Sequence, residues 1–167
     1  MKIITMKVVI LGDPEVGKTA LLSRYVRNAF REYYLPTLGS EFTITEKKIR
    51  DGTEIHLHFW DLAGSGSFAV MRRYYLHGAN AALICFALDK PASFHGVEAW
   101  KNDLDHVRSG AIPIILVGCK SDVTPEVDHD LIDAFCVRNS VLFVKTSART
   151  GENVHHLFSR LIDMVRD

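Results

Sequence analysis

Gly12-Asp13-Pro14-Glu15-Val16-Gly17-Lys18-Thr19 is the stretch that decides the fold. A short apolar run, Lys7 to Leu11, reads as a buried strand just before it. Leu21, Leu22, Tyr25 and Val26 share one face of a helix read from Lys18 to Ala29 just after it. The octet has the form G-x-x-x-x-G-K-[ST], which average residue usage yields by chance in about one of 200 chains this long. A loop between strand and helix can turn its backbone N–H groups inward around phosphate oxygens. Gly12 and Gly17 permit the turns and the close approach. Lys18 supplies a cation to the outer phosphates, and the Thr19 hydroxyl suits Mg²⁺. Asp13, Pro14, Glu15, Val16 and Ala20 complete the predicted phosphate-binding set.

Working outward, strands and helices alternate. Glu41 to Ile49 alternates in character, Asp51-Gly52 signals a hairpin turn, and Ile55 to Trp60 reads as the returning strand. Ala81 to Leu88, Pro113 to Val117 and Leu142 to Lys145 are further strands. Ser93 is placed to cap a helix with Phe94, Val97, Leu104 and Val107 on its apolar face. A weaker helix covers Asp130 to Arg138, and Val154, Leu157, Phe158, Leu161, Ile162 and Val165 mark a final one. The pattern predicts an α/β fold: three layers around a six-stranded, mainly parallel sheet with one antiparallel edge strand. Ligands of such sheets bind beyond the carboxyl ends of the strands. Residues 1–167 read as one domain, with no linker or repeat.

Four later segments, in order, resemble those of the Ras superfamily of small GTPases. Phe30 through Phe42 resembles the first switch region, and Trp60-Asp61-Leu62-Ala63-Gly64 the second. Gly118-Cys119-Lys120-Ser121-Asp122 resembles the guanine-reading loop, and Thr146-Ser147-Ala148-Arg149 the last nucleotide loop. Thr37-Leu38-Gly39, Trp60-Asp61 and Tyr74 to Ala79 are most similar to the Rab branch. Phe42, Trp60 and Tyr75 resemble the aromatic trio that Rab proteins present to effectors.

The resemblance implies roles position by position. Lys18, Thr37, Gly64 and Ser65 would serve GTP hydrolysis. Thr19, Thr37 and Asp61 would hold Mg²⁺. Phe30, Tyr34, Thr37, Gly64, Cys119, Lys120, Asp122, Ser147, Ala148 and Arg149 would join the loop 12–19 in binding GTP or GDP. Asp122 would accept from guanine N1–H and its exocyclic amine, and the Ala148 N–H would donate to O6. The implied function is a Rab-like switch in vesicle trafficking, read by effectors and exchange factors at its two switch regions. The alternative is a nucleotide-binding interaction module without useful turnover.

Three departures qualify the activity. Ser65 stands where the family carries a water-orienting glutamine, and Gly66 follows it in place of glutamate. Hydrolysis is therefore expected to be slow. Cys119 replaces an asparagine that binds the base and ties two loops together. A thiol bonds weakly, so nucleotide affinity should fall by about 1–3 kcal/mol. Pro14 removes a backbone donor from the loop, and Glu15 brings a negative charge near phosphate.

Whole-chain properties set the outer bounds. Lys plus Arg and Asp plus Glu number 20 each, which gives no basic excess for nucleic-acid binding. Three cysteines without C-x-x-C spacing argue against a disulfide framework or a zinc site, and for a reducing, cytoplasmic setting. No apolar run has the length of a membrane span. The last residues carry no cysteine for prenylation, so association with endomembranes is expected only through a tail outside this sequence. His56 and His58 share a strand face, read as solvated rather than as a metal pair.

Overall fold

Two kinds of apolar pattern build the sheet. β1 (Ile3–Leu11), β4 (Ala81–Ala87) and β5 (Ile114–Cys119) are near-continuous apolar runs, as strands covered on both faces must be. β4 is buried at every position. β2 (Ser40–Lys48) and β3 (Glu54–Leu62) alternate instead, and β3 buries every second residue along most of its length. This computed structural model describes residues 1–30, 40–63, 69–107 and 110–167, the side chains of 40 and 69–71 aside.

The sheet has six strands in the order β2-β3-β1-β4-β5-β6, with β6 spanning Leu142–Lys145. β2 pairs antiparallel with β3 at one edge, and all the other pairings are parallel. That is the architecture the sequence predicts. The hairpin turns at Asp51-Gly52, where Gly52 has φ 84° and its N–H donates to the Ile49 carbonyl at 2.9 Å. Asp51 accepts from the Thr53 N–H at 2.8 Å.

Helices cover both faces. α1 (Lys18–Arg27) and α6 (Val154–Arg166) lie on one, where Tyr25 stacks on Phe158 with ring centroids 4.0 Å apart. α2 (Ala69–Leu76), α3 (Pro91–His95), α4 (Val97–Val107) and α5 (His129–Asn139) lie on the other, burying Leu76, Val97, Leu104 and Phe135 against Ile84, Phe86 and Leu116. Each such buried side chain contributes about 1.5–3 kcal/mol from its removal from water.

The structure corrects the reading around Ser93. It caps no helix: its buried hydroxyl accepts from the Ala87 N–H at 2.9 Å and donates to the Lys90 carbonyl at 2.6 Å. Pro91, with its pre-set φ and no N–H to leave unpaired, starts α3 instead. The predicted single helix is two, separated at Gly96. A Cβ on Gly96 would lie 2.6 Å from both carboxylate oxygens of Asp13. α2 had no counterpart among the predicted helices. β1 and β3 are longer than the sequence predicts, so that β1 starts at Ile3 and β3 runs through Asp61 to Leu62. The carboxyl ends of β1, β3, β4, β5 and β6 share one edge of the sheet, and the predicted site residues among those described gather there.

Candidate functional site

The loop after β1 is shaped by its own backbone. Gly12 has φ 149°, and a Cβ there would lie 2.3 Å from the Cys85 carbonyl oxygen of β4. Gly17, with φ 109°, precedes the first turn of α1. Val16 is fully buried, which anchors the loop from beneath. Lys18 is 6% exposed, and its ammonium donates to the carbonyls of Gly12 at 2.8 Å and Asp13 at 2.9 Å. Burial lowers its pKa, opposed by the charge of Asp61. Two carbonyls of the loop thus converge on the Lys18 ammonium.

Asp13, Pro14 and Glu15 behave differently from one another. The Asp13 carboxylate turns away from the loop, accepting from the Trp100 indole N–H at 2.8 Å. Pro14 is exposed. Glu15 adopts φ 66°, a conformation that disfavours side chains with a Cβ. Its side chain is largely exposed and lies 3.6 Å from the Lys90 ammonium, so its charge is directed outward.

Thr19 and Asp61 meet at the end of β3. The Thr19 hydroxyl donates to Asp61 Oδ2 at 2.5 Å. Asp61 is fully buried, and its Oδ1 has no hydrogen-bond partner among the described residues. Burial pushes its pKa up to about 6, against the lowering effects of the Thr19 hydrogen bond and of Lys18. A buried carboxylate oxygen without a partner beside a hydroxyl is a donor set that fits a hard divalent cation. Such a cation would satisfy the orphaned oxygen and hold the carboxylate ionised.

A cavity of about 270 Å³ adjoins this cradle, lined in part by Gly17, Ala20, Phe30, Cys119, Lys120, Asp122, Ala148 and Arg149. Lys120, at φ 63° just beyond β5, reaches across it to donate to the Glu15 carbonyl at 2.9 Å. Asp122 is oriented by Ser147, whose hydroxyl donates to Oδ1 at 2.8 Å. The Arg149 guanidinium lies 3.5 Å from Asp122 Oδ2 and 5.4 Å from the centre of the Phe30 ring. Cys119 is 4% exposed, and hydrogen bonding with Cys85 on β4 favours its thiolate while disfavouring that of Cys85. Backbone bonds from Thr146 to Gly118 at 2.8 Å and from Ser121 to Thr146 at 3.0 Å join the two loops.

The structure therefore brings together Asp13 to Ala20, Phe30, Asp61, Cys119, Lys120, Asp122 and Ser147 to Arg149. Tyr34, Thr37, Gly64 and Ser65 lie outside the described residues. Phe42, Trp60 and Tyr75 form one surface row, with centroid distances of 4.7 Å and 5.4 Å. Trp60 and Tyr75 also line a separate cavity of about 530 Å³ with Lys7, Arg73, Tyr74 and His77. His56 bonds Glu54 at 2.7 Å, and with Glu46 alongside these form a group of ligand type, while His58 packs edge-on against Phe42.

Several contributors escaped the sequence reading. Trp100 holds Asp13, and Leu21, Asp89 and Val123 also line the smaller cavity. Arg24 grips the loop that contains Ala148. No local signal marks it, because its partners lie more than 120 residues away.

The chain is similar to known proteins over most of its length. A model of the Ras family matches residues 7–167. The chain is 34% identical over 170 residues to the GTP-binding protein YPT53 of Saccharomyces cerevisiae, covering 97% of this chain and 77% of that protein. It is 37% identical over 159 residues to the Ras-related protein YPTC6 of Chlamydomonas reinhardtii, covering 93% and 73% respectively. Similarity to the Ras-related protein Rab-7L1 of Rattus norvegicus is 33% over 163 residues, covering 94% and 80%.

Proposed function

The chain belongs to the Ras family of small GTPases and is most like the Rab proteins, and we propose that it is a Mg²⁺-dependent guanine-nucleotide switch that hydrolyses GTP slowly. The observation that carries this reading is the join between two half-sites. A phosphate cradle closed by Lys18 opens directly into a cavity where Asp122 is held by Ser147. One nucleotide spans such a pair, phosphates at one end and base at the other.

At the base end, Asp122 accepts from guanine N1–H and the exocyclic amine. The Ala148 N–H donates to O6, where adenine presents an amine. Lys120 lays its stem along the base and Phe30 meets its edge. At the phosphate end, the backbone of residues 13–20 and the Lys18 ammonium take the phosphates. Thr19 and Asp61 hold Mg²⁺, with Thr37 joining when a third phosphate is present; the ion supplies charge neutralisation at the phosphoryl group. Thr37 and Gly64 are the residues through which the third phosphate orders the two switch regions. Phe42, Trp60 and Tyr75 offer the surface that effectors read, and exchange factors act on the same switch regions. Residues 1–167 act as one G domain. The setting we assign is vesicle trafficking, at the cytosolic face of endomembranes if the full-length protein has a lipidated tail.

Slow hydrolysis follows from Ser65, whose hydroxyl is too short to orient a water and also contact phosphate. In Ras a glutamine orients the attacking water, and losing one such positioning contact corresponds to about one or two tenfold steps in rate. Competition of ADP against labelled GDP tests the reading. GDP should win by about a hundredfold, and Asp122→Ala should remove most of that preference, since a base left facing an unpaired site loses its advantage. Equal competition by ADP in the wild-type protein refutes the guanine assignment. Single-turnover phosphate release tests the rate: Ser65→Gln should accelerate it about tenfold. A chain that binds guanine nucleotide but releases no phosphate, with or without that substitution, would be an interaction module without turnover.

A further inference from the structure

We infer that Arg24, on α1, is a positioning residue that sets the loop 146–149 and thereby the site's ability to read the O6 edge of the base. The inference rests on the guanine reading above and assigns it a residue that touches no nucleotide atom in that reading. Arg24 Nε donates to the Ala148 carbonyl at 2.7 Å, and Nη2 donates to the Arg149 carbonyl at 2.8 Å. Nη1 is turned the other way, donating to the Asn28 side-chain oxygen at 3.1 Å. A planar guanidinium thus grips two successive carbonyls of a loop more than 120 residues away in sequence.

The grip has a geometric consequence. Thr146 and Ser147 are already fixed from the other side, their N–H groups donating to the carbonyls of Gly118 at 2.8 Å and Glu152 at 3.1 Å. The peptide that carries the Ala148 N–H accepts at its Ser147 carbonyl from the Gly151 N–H at 2.8 Å, and Arg24 fixes the two peptides that follow it. Between them the direction of the Ala148 N–H is determined, and that is the donor assigned to O6. Charge-assisted bonds in a fork geometry hold direction better than neutral ones. The same helix begins at Lys18 and Thr19, so α1 acts as a strut from the phosphate cradle to the base loop. The tie matters more in this chain because Cys119 stands where a hydrogen-bonding amide would link the loops. Asp122, by contrast, accepts from the Ser147 hydroxyl at 2.8 Å, and the Ser147 backbone is held by Glu152 rather than by Arg24.

That separation makes the test specific. The wild type, Arg24→Met and Arg24→Lys are loaded in excess Mg²⁺ with GDP, with inosine diphosphate or with 2-aminopurine riboside diphosphate, and release is followed by stopped flow. Inosine lacks the amine read by Asp122; 2-aminopurine lacks O6 and with it the N1–H, a loss at Asp122 that is common to the wild type and the variants. Arg24→Met should release GDP about tenfold faster, the effect of losing one well-placed polar contact. Its preference for GDP over the 2-aminopurine nucleotide should shrink by a similar factor, while its preference for GDP over inosine diphosphate holds. Arg24→Lys, which can reach one carbonyl with a point charge, should fall between. An unchanged 2-aminopurine ratio overturns the inference, and so does an equal acceleration of all three nucleotides, which marks general support of the fold. Should the Met variant fail to fold, the ratio in Arg24→Lys decides in the same way. A wild type that binds ADP as well as GDP refutes the guanine reading itself, before any Arg24 variant is considered.

Discussion

The two ends of the site are held by different means. At the phosphate end a single octet folds on itself: Gly12, Gly17 and Lys18 set the loop through backbone angles and through bonds to carbonyls five and six residues away. At the base end, β5, the loop 146–149 and α1 contribute contacts that span from 25 to 125 residues of sequence. The first arrangement is stiff because its alternatives are sterically forbidden. The second is ordered only as far as its cross-links hold. Local departures at the two ends should therefore have different consequences: loss of folding at the phosphate end, and altered residence or selectivity at the base end.

The largest expected effect breaks the comparison most directly. Gly12→Ala would put a methyl group 2.3 Å from a strand carbonyl, at φ 149°. Either β1 or β4 must shift, and both are central strands of the sheet. A loss of about 3–4 kcal/mol is expected, roughly a 10 °C fall in melting temperature for a domain of this size. At the base end, Gly151→Ala meets nothing within 4 Å and bears only the strain of φ 86°. It should lower stability by about 1 kcal/mol. Melting curves of the two variants with bound GDP check the contrast. Equal destabilisation would mean that the base end is as constrained as the cradle.

The same contrast explains what could be read in advance. The cradle was legible because its chemistry is written in eight consecutive residues with two glycines at required positions. The sheet was legible from apolar runs such as Ala81 to Leu88. Ser93 misled because serine before an apolar face is a good cap signal, and nothing local says that its hydroxyl is needed under Ala87. α2 was missed because its residues entered the reading only through the Rab-like stretch Tyr74 to Ala79, a resemblance that carries no periodicity. Arg24 and Trp100 were invisible for a deeper reason: an arginine on a helix reads as a solvated face, and a tryptophan as core. Their partners, Ala148 and Asp13, are fixed only by tertiary contact.

Restoring a cross-link sharpens the comparison from the other side. Cys119 is buried and occupied with Cys85, at the floor of the base cavity. Cys119→Asn should add polar contacts there and lengthen GDP residence by about tenfold, the equivalent of one net hydrogen bond of about 1.4 kcal/mol. Stopped-flow release of a fluorescent GDP measures it. Release as fast as in the wild type would show that Arg24 and Lys120 already supply the order that the asparagine would bring.

The smallest expected effect on nucleotide release concerns the charge that the cradle keeps out of the way. Asp13 sits inside a loop meant for anions, yet its carboxylate lies against Gly96 and accepts from the Trp100 indole at 2.8 Å. Trp100 is itself covered by the Arg72 guanidinium, 3.9 Å above its ring, and Arg72 is paired with Asp103 at 2.8 Å. Trp100→Phe keeps an aromatic surface for Arg72 and removes the N–H. The half-buried carboxylate then loses a donor, which should lower stability by about 1–2 kcal/mol, a shift of roughly 3–6 °C in melting temperature. It is also free to turn back toward the phosphates, so GDP release should quicken by a few-fold, about 0.5–1 kcal/mol at this partly screened distance. Asp13→Asn in the Trp100→Phe background separates the two causes. If repulsion quickens release, neutralising Asp13 restores the slow rate while leaving the melting temperature low. If both stay altered, the indole contributes through packing alone, and the phosphate end is then largely independent of the tertiary contact between Trp100 and Asp13.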